Sequence, residues 1–229
     1  MIFDEKVLAF ISTKEDGNIA FHVPDDPKNV IQNRQKLAGQ HQYNNDDLIY
    51  MEQIHSSTVH VVNEHSSKVQ KQCDAMVSNT PNLPLMVMVA DCIPLMFYDA
   101  VKKVIAVAHA GRNGVFLNIA QKTVHTMMEE FDSKANDIQV YIGPSIQQCC
   151  YEVNDSLAAI AVKSFGKKFV QNNHLDLQAM CTMQLQKVGI DKNNMHTDDY
   201  CTKCHGNKYF SYRQNCTKAG RFCVVLILK

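Results

Sequence analysis

Two short apolar runs, each ended by a reactive side chain, constrain this chain more than any other feature. Leu83 to Val89 is apolar, breaks at Asp91-Cys92 and resumes at Ile93. Val104-Ile105-Ala106-Val107-Ala108 ends at His109 and opens into Gly111-Arg112-Asn113-Gly114. Runs of this length bounded by turn residues read as fully buried strands. Helical and strand-like segments are mixed throughout the chain, so the reading is an α/β domain. A thiol and an imidazole then lie at strand ends, where α/β proteins tend to place chemistry. A third candidate, His55, lies just ahead of the strand-like Thr58-Val59-His60-Val61-Val62.

The 229 residues suit one large domain or two small ones. The sequence contains no internal repeat, low-complexity tract or linker, so we read residues 1–229 as a single α/β domain. The 23 basic and 23 acidic residues cancel, which argues against a general nucleic-acid or polyanion binder. The longest apolar stretch, Leu83 to Tyr98, contains Asp91 and two prolines and does not read as a membrane span. Asp4 and Glu5 stand where a signal peptide would carry basic residues. With nine cysteines, an odd number, the expectation is a cytoplasmic protein with reduced thiols.

Strands are expected at Val7–Ile11, near 47–51, 58–62, 85–89, 94–98 and 104–109, at Ile138–Ile142, and over Cys223–Leu228. Asp26 and Pro27 start a helix to about Ala38. Helical spacing predicts one helix from Val115 to about Phe131 and another from Asp155 to Phe165, capped by Asn154 or Asp155. A last helix is expected from about Leu175 to Val188, stopping at Gly189.

Each candidate site residue has a plainer reading. A cysteine in an apolar run is usually inert core, and a histidine at a strand end is usually structural. Asp91 beside Cys92 weighs against this, because unpaired charges are not buried freely. Two imidazoles and a thiolate give zinc three ligands and leave the fourth position open, as catalytic zinc requires. Gly111-Arg112-Asn113-Gly114 is either a simple turn or an anion site at a helix start. Cys201-Thr202-Lys203-Cys204-His205 matches a short haem-attachment pattern, and its Cys-x-x-Cys lacks the partner pair that a structural zinc would need. Cys149 and Cys150 are expected to pack as reduced thiols.

Several segments together resemble a known family. They are Gln53-Ile54-His55, Cys73-Asp74-Ala75-Met76-Val77-Ser78, Ala90-Asp91-Cys92-Ile93-Pro94 and Ala108-His109-Ala110-Gly111. Ile142-Gly143-Pro144-Ser145-Ile146 leading into Cys149-Cys150-Tyr151-Glu152-Val153, and Tyr209-Phe210-Ser211-Tyr212-Arg213 followed by Gly220-Arg221, complete the set. In this order they are similar to the motifs of the laccase-domain, or polyphenol oxidase, family, also described as purine nucleoside phosphorylases. Its members include bacterial peptidoglycan-editing factors. The chain departs from the family pattern at Arg112-Asn113, where the family has Trp-Arg, at Ser56 for glycine, and at Lys14 for arginine.

The resemblance implies a four-layer α/β/β/α sandwich with mixed sheets. It implies that His55, Cys92 and His109 converge and can hold zinc, with copper the lesser candidate. The implied reaction is phosphorolysis of adenosine, inosine and guanosine to free base and ribose 1-phosphate. Adenosine deamination and methylthioadenosine cleavage are implied at the same site. The partners are then purine nucleosides and phosphate, with no nucleic acid or membrane, in a monomer or homodimer. His55 or His109 would be the general acid, Cys92 a ligand or part of a proton relay, and Asp91 a group that orients its neighbours. Lys14, Arg112 and Arg213 would hold phosphate through their positive charges. The competing reading is a hydrolase that edits peptidoglycan precursors, either zinc-dependent or using Cys92 as nucleophile and His109 as base. Copper-dependent phenol oxidation needs more ligands than one His-Cys-His set supplies.

Overall fold

The computed structural model describes residues 2–229. Strand β1 (Val7–Ile11) leads to helix α1 (Pro27–His41). The Asp26 side chain accepts the Lys28 amide at the start of α1, and Pro27 occupies a first-turn position where its missing N–H costs nothing. Seven strands follow: β2 (Ile49–Met51), β3 (Val59–Val61), β4 (Val69–Gln70), β5 (Ala75–Ser78), β6 (Leu85–Val89), β7 (Ile93–Asp99) and β8 (Val104–Ala110). Helices α2 (Arg112–Phe116) and α3 (Ile119–Phe131) precede β9 (Ile138–Ile142). Helix α4 (Asp155–Phe165), the pair β10 (Val170–Gln171) and β11 (His174–Leu175), and helix α5 (Leu177–Lys187) come next. The chain closes with β12 (Met195–Thr197), α6 (Tyr212–Asn215) and β13 (Phe222–Leu228).

The strands form two mixed sheets. One has the order β1-β13-β6-β2-β4 and the other β12-β9-β7-β8-β5-β3. Their residues alternate with period two, which sorts the core into three layers. Phe222, Val224 and Leu226 of β13 pack with Leu85, Val87 and Val89 of β6 against Met96 and Tyr98 of β7 and Ile105 and Val107 of β8, between the sheets. Cys223, Val225, Ile227, Met86 and Met88 face the other way and pack with Leu37 of α1. Leu95, Phe97, Ala106 and Ala108 pack with Val124 and Met127 of α3 and Met180 and Leu185 of α5. Helix, sheet, sheet, helix is the four-layer sandwich that the family resemblance implies.

The differences from the sequence expectation have local causes. The helix expected from Val115 to Phe131 is two helices, because Asn118 takes a left-handed conformation (φ 62°) that asparagine tolerates better than most residues. The helix expected from Leu175 begins at Leu177, since Leu175 pairs with Val170 and the Asp176 side chain caps the Ala179 amide. Of the two caps considered for α4, Asn154 is the one whose side chain accepts from Leu157.

Phe97 is fully buried where the β7 ladder meets the helical layer. Phe97→Ala should cost about 3–5 kcal/mol of stability, read as a lower midpoint in urea unfolding. A loss under about 1 kcal/mol would mean that this layer is not a packed core.

Candidate active site

The strand period decides where the reactive ends of β7 and β8 point. Cys92 and His109 continue the alternate rows that carry Met96 and Tyr98, and Ile105 and Val107, so both face the space between the sheets. Antiparallel pairing sets Pro94 opposite His109. Gly111 follows β8 and passes against the side chains of His55 and Cys92. A Cβ there would lie 2.7 Å from His55 Cδ2 and 3.0 Å from Cys92 Sγ, so any larger residue must push these side chains aside.

His55 comes from the connection between β2 and β3, in a left-handed conformation (φ 59°). Asp74, fully buried just before β5, fixes it there. The carboxylate accepts the backbone amides of Ile54, His55 and Ser56 at 3.3, 3.0 and 2.6 Å, and the Ser56 hydroxyl at 2.7 Å. The same carboxylate lies 2.8 Å from His109 Nδ1. Burial alone would raise the Asp74 carboxyl, but hydrogen bonds from His109 and Ser56 outweigh it and hold the group below its ordinary value. The carboxylate therefore stays ionised and keeps the proton of His109 on Nδ1, as an acceptor must.

The ligand atoms of His55, Cys92 and His109 all lie within 4.8 Å of one another. Cys92 Sγ is 3.8 Å from His55 Nε2, and the two imidazole rings meet edge to face with centroids 4.7 Å apart. Burial pushes the Cys92 thiol up, yet the charge and hydrogen bonding of His109, and then of His55, bring it down to about 6. Burial lowers His109, but Cys92 and Asp74 raise it to about 9. Thiolate and imidazolium thus support each other. A thiolate and two imidazoles, with the second nitrogen of His109 held by a carboxylate, are the ligand set and outer support that zinc favours. The residues present fit such an ion and leave one position open for a substrate or water.

This trio lies in a cleft of about 750 Å³, a size suited to a small organic ligand. Its walls include His22, Gln53, Tyr151, Tyr212, Arg213 and Arg221. Gln53 is tied to the Met88 backbone through both its amide atoms, at 2.8 and 2.9 Å, and so builds the wall. The Arg213 guanidinium lies 4.8 Å from the Tyr151 ring centre.

Of the residues picked from sequence, His55, Cys92, His109, Asp91 and Arg213 come together here. Asp91 is buried in a left-handed conformation (φ 84°), and both its oxygens are engaged, by the Thr202 hydroxyl and the Arg213 amide, each at 2.6 Å. These two bonds tie the 201–213 segment to the cleft wall. Arg112 lies in an adjoining groove with Arg213, Glu152 and Asn154, its guanidinium bonded to Asn113 Oδ1. Lys14 is not among the cleft residues; its amine donates to the Gly206 carbonyl and sits 5.6 Å from the Phe210 ring centre. Helix α2 is a five-residue turn, so Gly111–Gly114 offers no helix N-terminus of useful strength to an anion. Sequence reasoning missed Asp74, His22 and Arg221 as site residues. The signals available were the acid directly before a buried strand for Asp74, and the family-like segments that contain Asp74 and Arg221.

A family model described as multi-copper polyphenol oxidoreductase laccase matches residues 11–229. A purine nucleoside phosphorylase of Clostridium acetobutylicum is 32% identical over 231 residues, covering 99% of this chain and 94% of that protein. An adenosine deaminase from an unknown prokaryotic organism is 30% identical, covering 89% and 84%. The solved structure of Bacillus licheniformis hypothetical protein YfiH superposes with a TM-score of 0.92 at 29% identity, covering 97% and 93%.

In metal-free protein, alkylation of Cys92 should rise with pH through a midpoint near 6. His109→Ala should move that midpoint up toward the ordinary thiol range; mass spectrometry of alkylation rates checks both, and an unchanged midpoint would sink the ion-pair assignment. Gly111→Ala should displace the His55 ring and weaken zinc binding by about tenfold or more, measured by competition with a chromogenic chelator.

Proposed function

The chain belongs to the multi-copper polyphenol oxidoreductase laccase family, and from that membership we propose that it is a purine nucleoside phosphorylase working at the His55–Cys92–His109 cleft. The observation that carries the reading is one nucleoside-sized cleft that holds this trio beside two arginines, in a relative of a named purine nucleoside phosphorylase. The laccase part of the family description finds little support in the ligands. Among the described residues, the metal-competent clusters are this one trio and one group of four cysteines. Multicopper oxidation needs more histidine ligands than these offer.

In the proposed reaction an oxygen of phosphate attacks the ribose anomeric carbon. The glycosidic C–N bond breaks, its electron pair stays on the purine, and a proton must reach the departing base. Tyr151 and Tyr212 offer aromatic surface to the purine, and Arg213 and Arg221 offer positive charge to phosphate. Burial lowers the Arg221 guanidinium from its ordinary value, but an arginine remains charged throughout the working range. His109 is buried with Nδ1 committed to Asp74, whereas His55 is exposed to the cleft. His55 is therefore the assigned proton donor, through Nδ1, the nitrogen left when Nε2 faces Cys92. Zinc, when bound by His55, Cys92 and His109, supplies a Lewis acid and an acidified water. That water chemistry is what adenosine deamination would use, the activity named for one relative.

The test is a product assay on purified protein with adenosine, with and without phosphate. Phosphate-dependent adenine release, reduced about 10²-fold or more in His55→Ala, is the expected outcome. Inosine formed without phosphate would replace phosphorolysis by deamination as the main activity. No turnover of any purine nucleoside would overturn the reading and favour a different substrate, such as a cell-wall precursor. Arg213→Ala should raise KM for phosphate more than it lowers kcat; an unchanged phosphate KM would remove Arg213 from the anion site.

A further inference from the structure

A second cluster stands apart from the His-Cys-His trio. The sulfurs of Cys149, Cys150, Cys201 and Cys204 all lie within 4.8 Å of one another. Cys149 and Cys204 sulfurs are 3.8 Å apart, and Cys150 and Cys204 sulfurs 3.5 Å. None of the four is in a disulfide, whose sulfurs would be only about 2.05 Å apart. Sulfurs at the corners of a tetrahedron around a zinc ion, with bonds of about 2.3 Å, stand roughly 3.8 Å from one another. The cluster is therefore close to the spacing of a four-thiolate metal site and far from that of a bridge.

We propose that Cys149, Cys150, Cys201 and Cys204 form a structural site for zinc or another thiophilic divalent cation, which clamps the wall of the active cleft.

Local structure supports the assignment. Cys201 and Cys204 form a Cys-x-x-Cys turn in which the His205 amide donates to the Cys201 carbonyl at 2.9 Å. The two cysteine pairs sit on segments already joined by backbone: the Tyr200 carbonyl accepts from Ser145 at 3.3 Å, and the Thr202 amide donates back to Ser145 at 3.0 Å. The sequence hid the site because one pair is a recognisable Cys-x-x-Cys while its partners are adjacent residues some fifty positions earlier.

The cluster also has a consequence for the cleft. Thr202, inside the Cys-x-x-Cys turn, donates to Asp91 at 2.6 Å, and Asp91 holds the Arg213 amide at 2.6 Å. Tyr151 follows Cys150 directly and packs under Arg213. An ion binding the four thiols, with release of their protons, would cross-link the loop that carries Tyr151 to the turn that anchors Asp91. This is a separate ion from the one in the trio, and the inference stands whether or not the protein is a phosphorylase.

The experiment is metal analysis of the full chain purified anaerobically in reductant. Cys92→Ala removes a ligand of the trio and should still carry one equivalent of zinc per chain. Adding Cys204→Ser should drop that equivalent at least tenfold. Cobalt exchange into the wild-type protein provides a readout that needs no variant, and intense sulfur-to-cobalt absorption with tetrahedral ligand-field bands is expected. Absence of retained metal in Cys92→Ala, together with a wild-type cobalt spectrum lacking four-thiolate character, would overturn the proposal. So would an intact mass showing the four cysteines as disulfides under these conditions.

Discussion

The Asp74 carboxylate is the contact on which the candidate site rests. It is wholly buried and accepts three successive backbone amides, a hydroxyl and an imidazole. An isolated carboxylate in such a place would be expensive, and these donors offset the cost by replacing its water. The same bonds hold the β2–β3 connection in a conformation that presents His55, and they fix the tautomer of His109. Removing Asp74 would therefore disturb both imidazoles at once, although it does not line the cleft itself.

Asp91 performs the corresponding task on the opposite wall. Its backbone sits in the left-handed region, which is uncommon for a residue with a side chain. That bend turns the chain at the end of β6, so that Asp91 meets the 201–213 segment while Cys92 continues into the inter-sheet row. Two buried acids, one on each side of the reactive trio, thus convert sequence-distant segments into a single cleft. Each anchors backbone: Asp74 holds the amides of 54–56, and Asp91 holds that of Arg213.

Much of this architecture is legible in the order of the residues. Apolar runs bounded by turn residues locate β6, β7, β8 and β13 closely, because central strands buried on both faces carry little else. The trio is legible through the segments around it that resemble a known family, because a cysteine or histidine ending an apolar run is by itself more often structural. What stays hidden is long-range. The two-residue strands β4, β10 and β11 have no period to read, and their existence depends on partners. Lys14 reads as an anion ligand by its charge, but its neighbours, Gly206 and Phe210, come from the other end of the chain. Asp74 stands in one of the family-like segments and at a strand start, with nothing local to show that a histidine at position 109 is its partner.

Antiparallel pairing of Pro94 with His109 means that the spacing of thiol and imidazole is set by a backbone ladder. A slip of one residue would turn His109 toward the helices, so the reactive pair exists in one register only. The walls that carry Tyr151, Tyr212 and Arg213 lie outside the strands, on loops and a single-turn helix. Inheritance can therefore act on the two parts separately. Loop substitutions can retune which ligand is admitted, while the Cys92–His109 pair is passed on unchanged as a property of the sheet. A designer seeking a new substrate would vary the walls and leave the ladder alone.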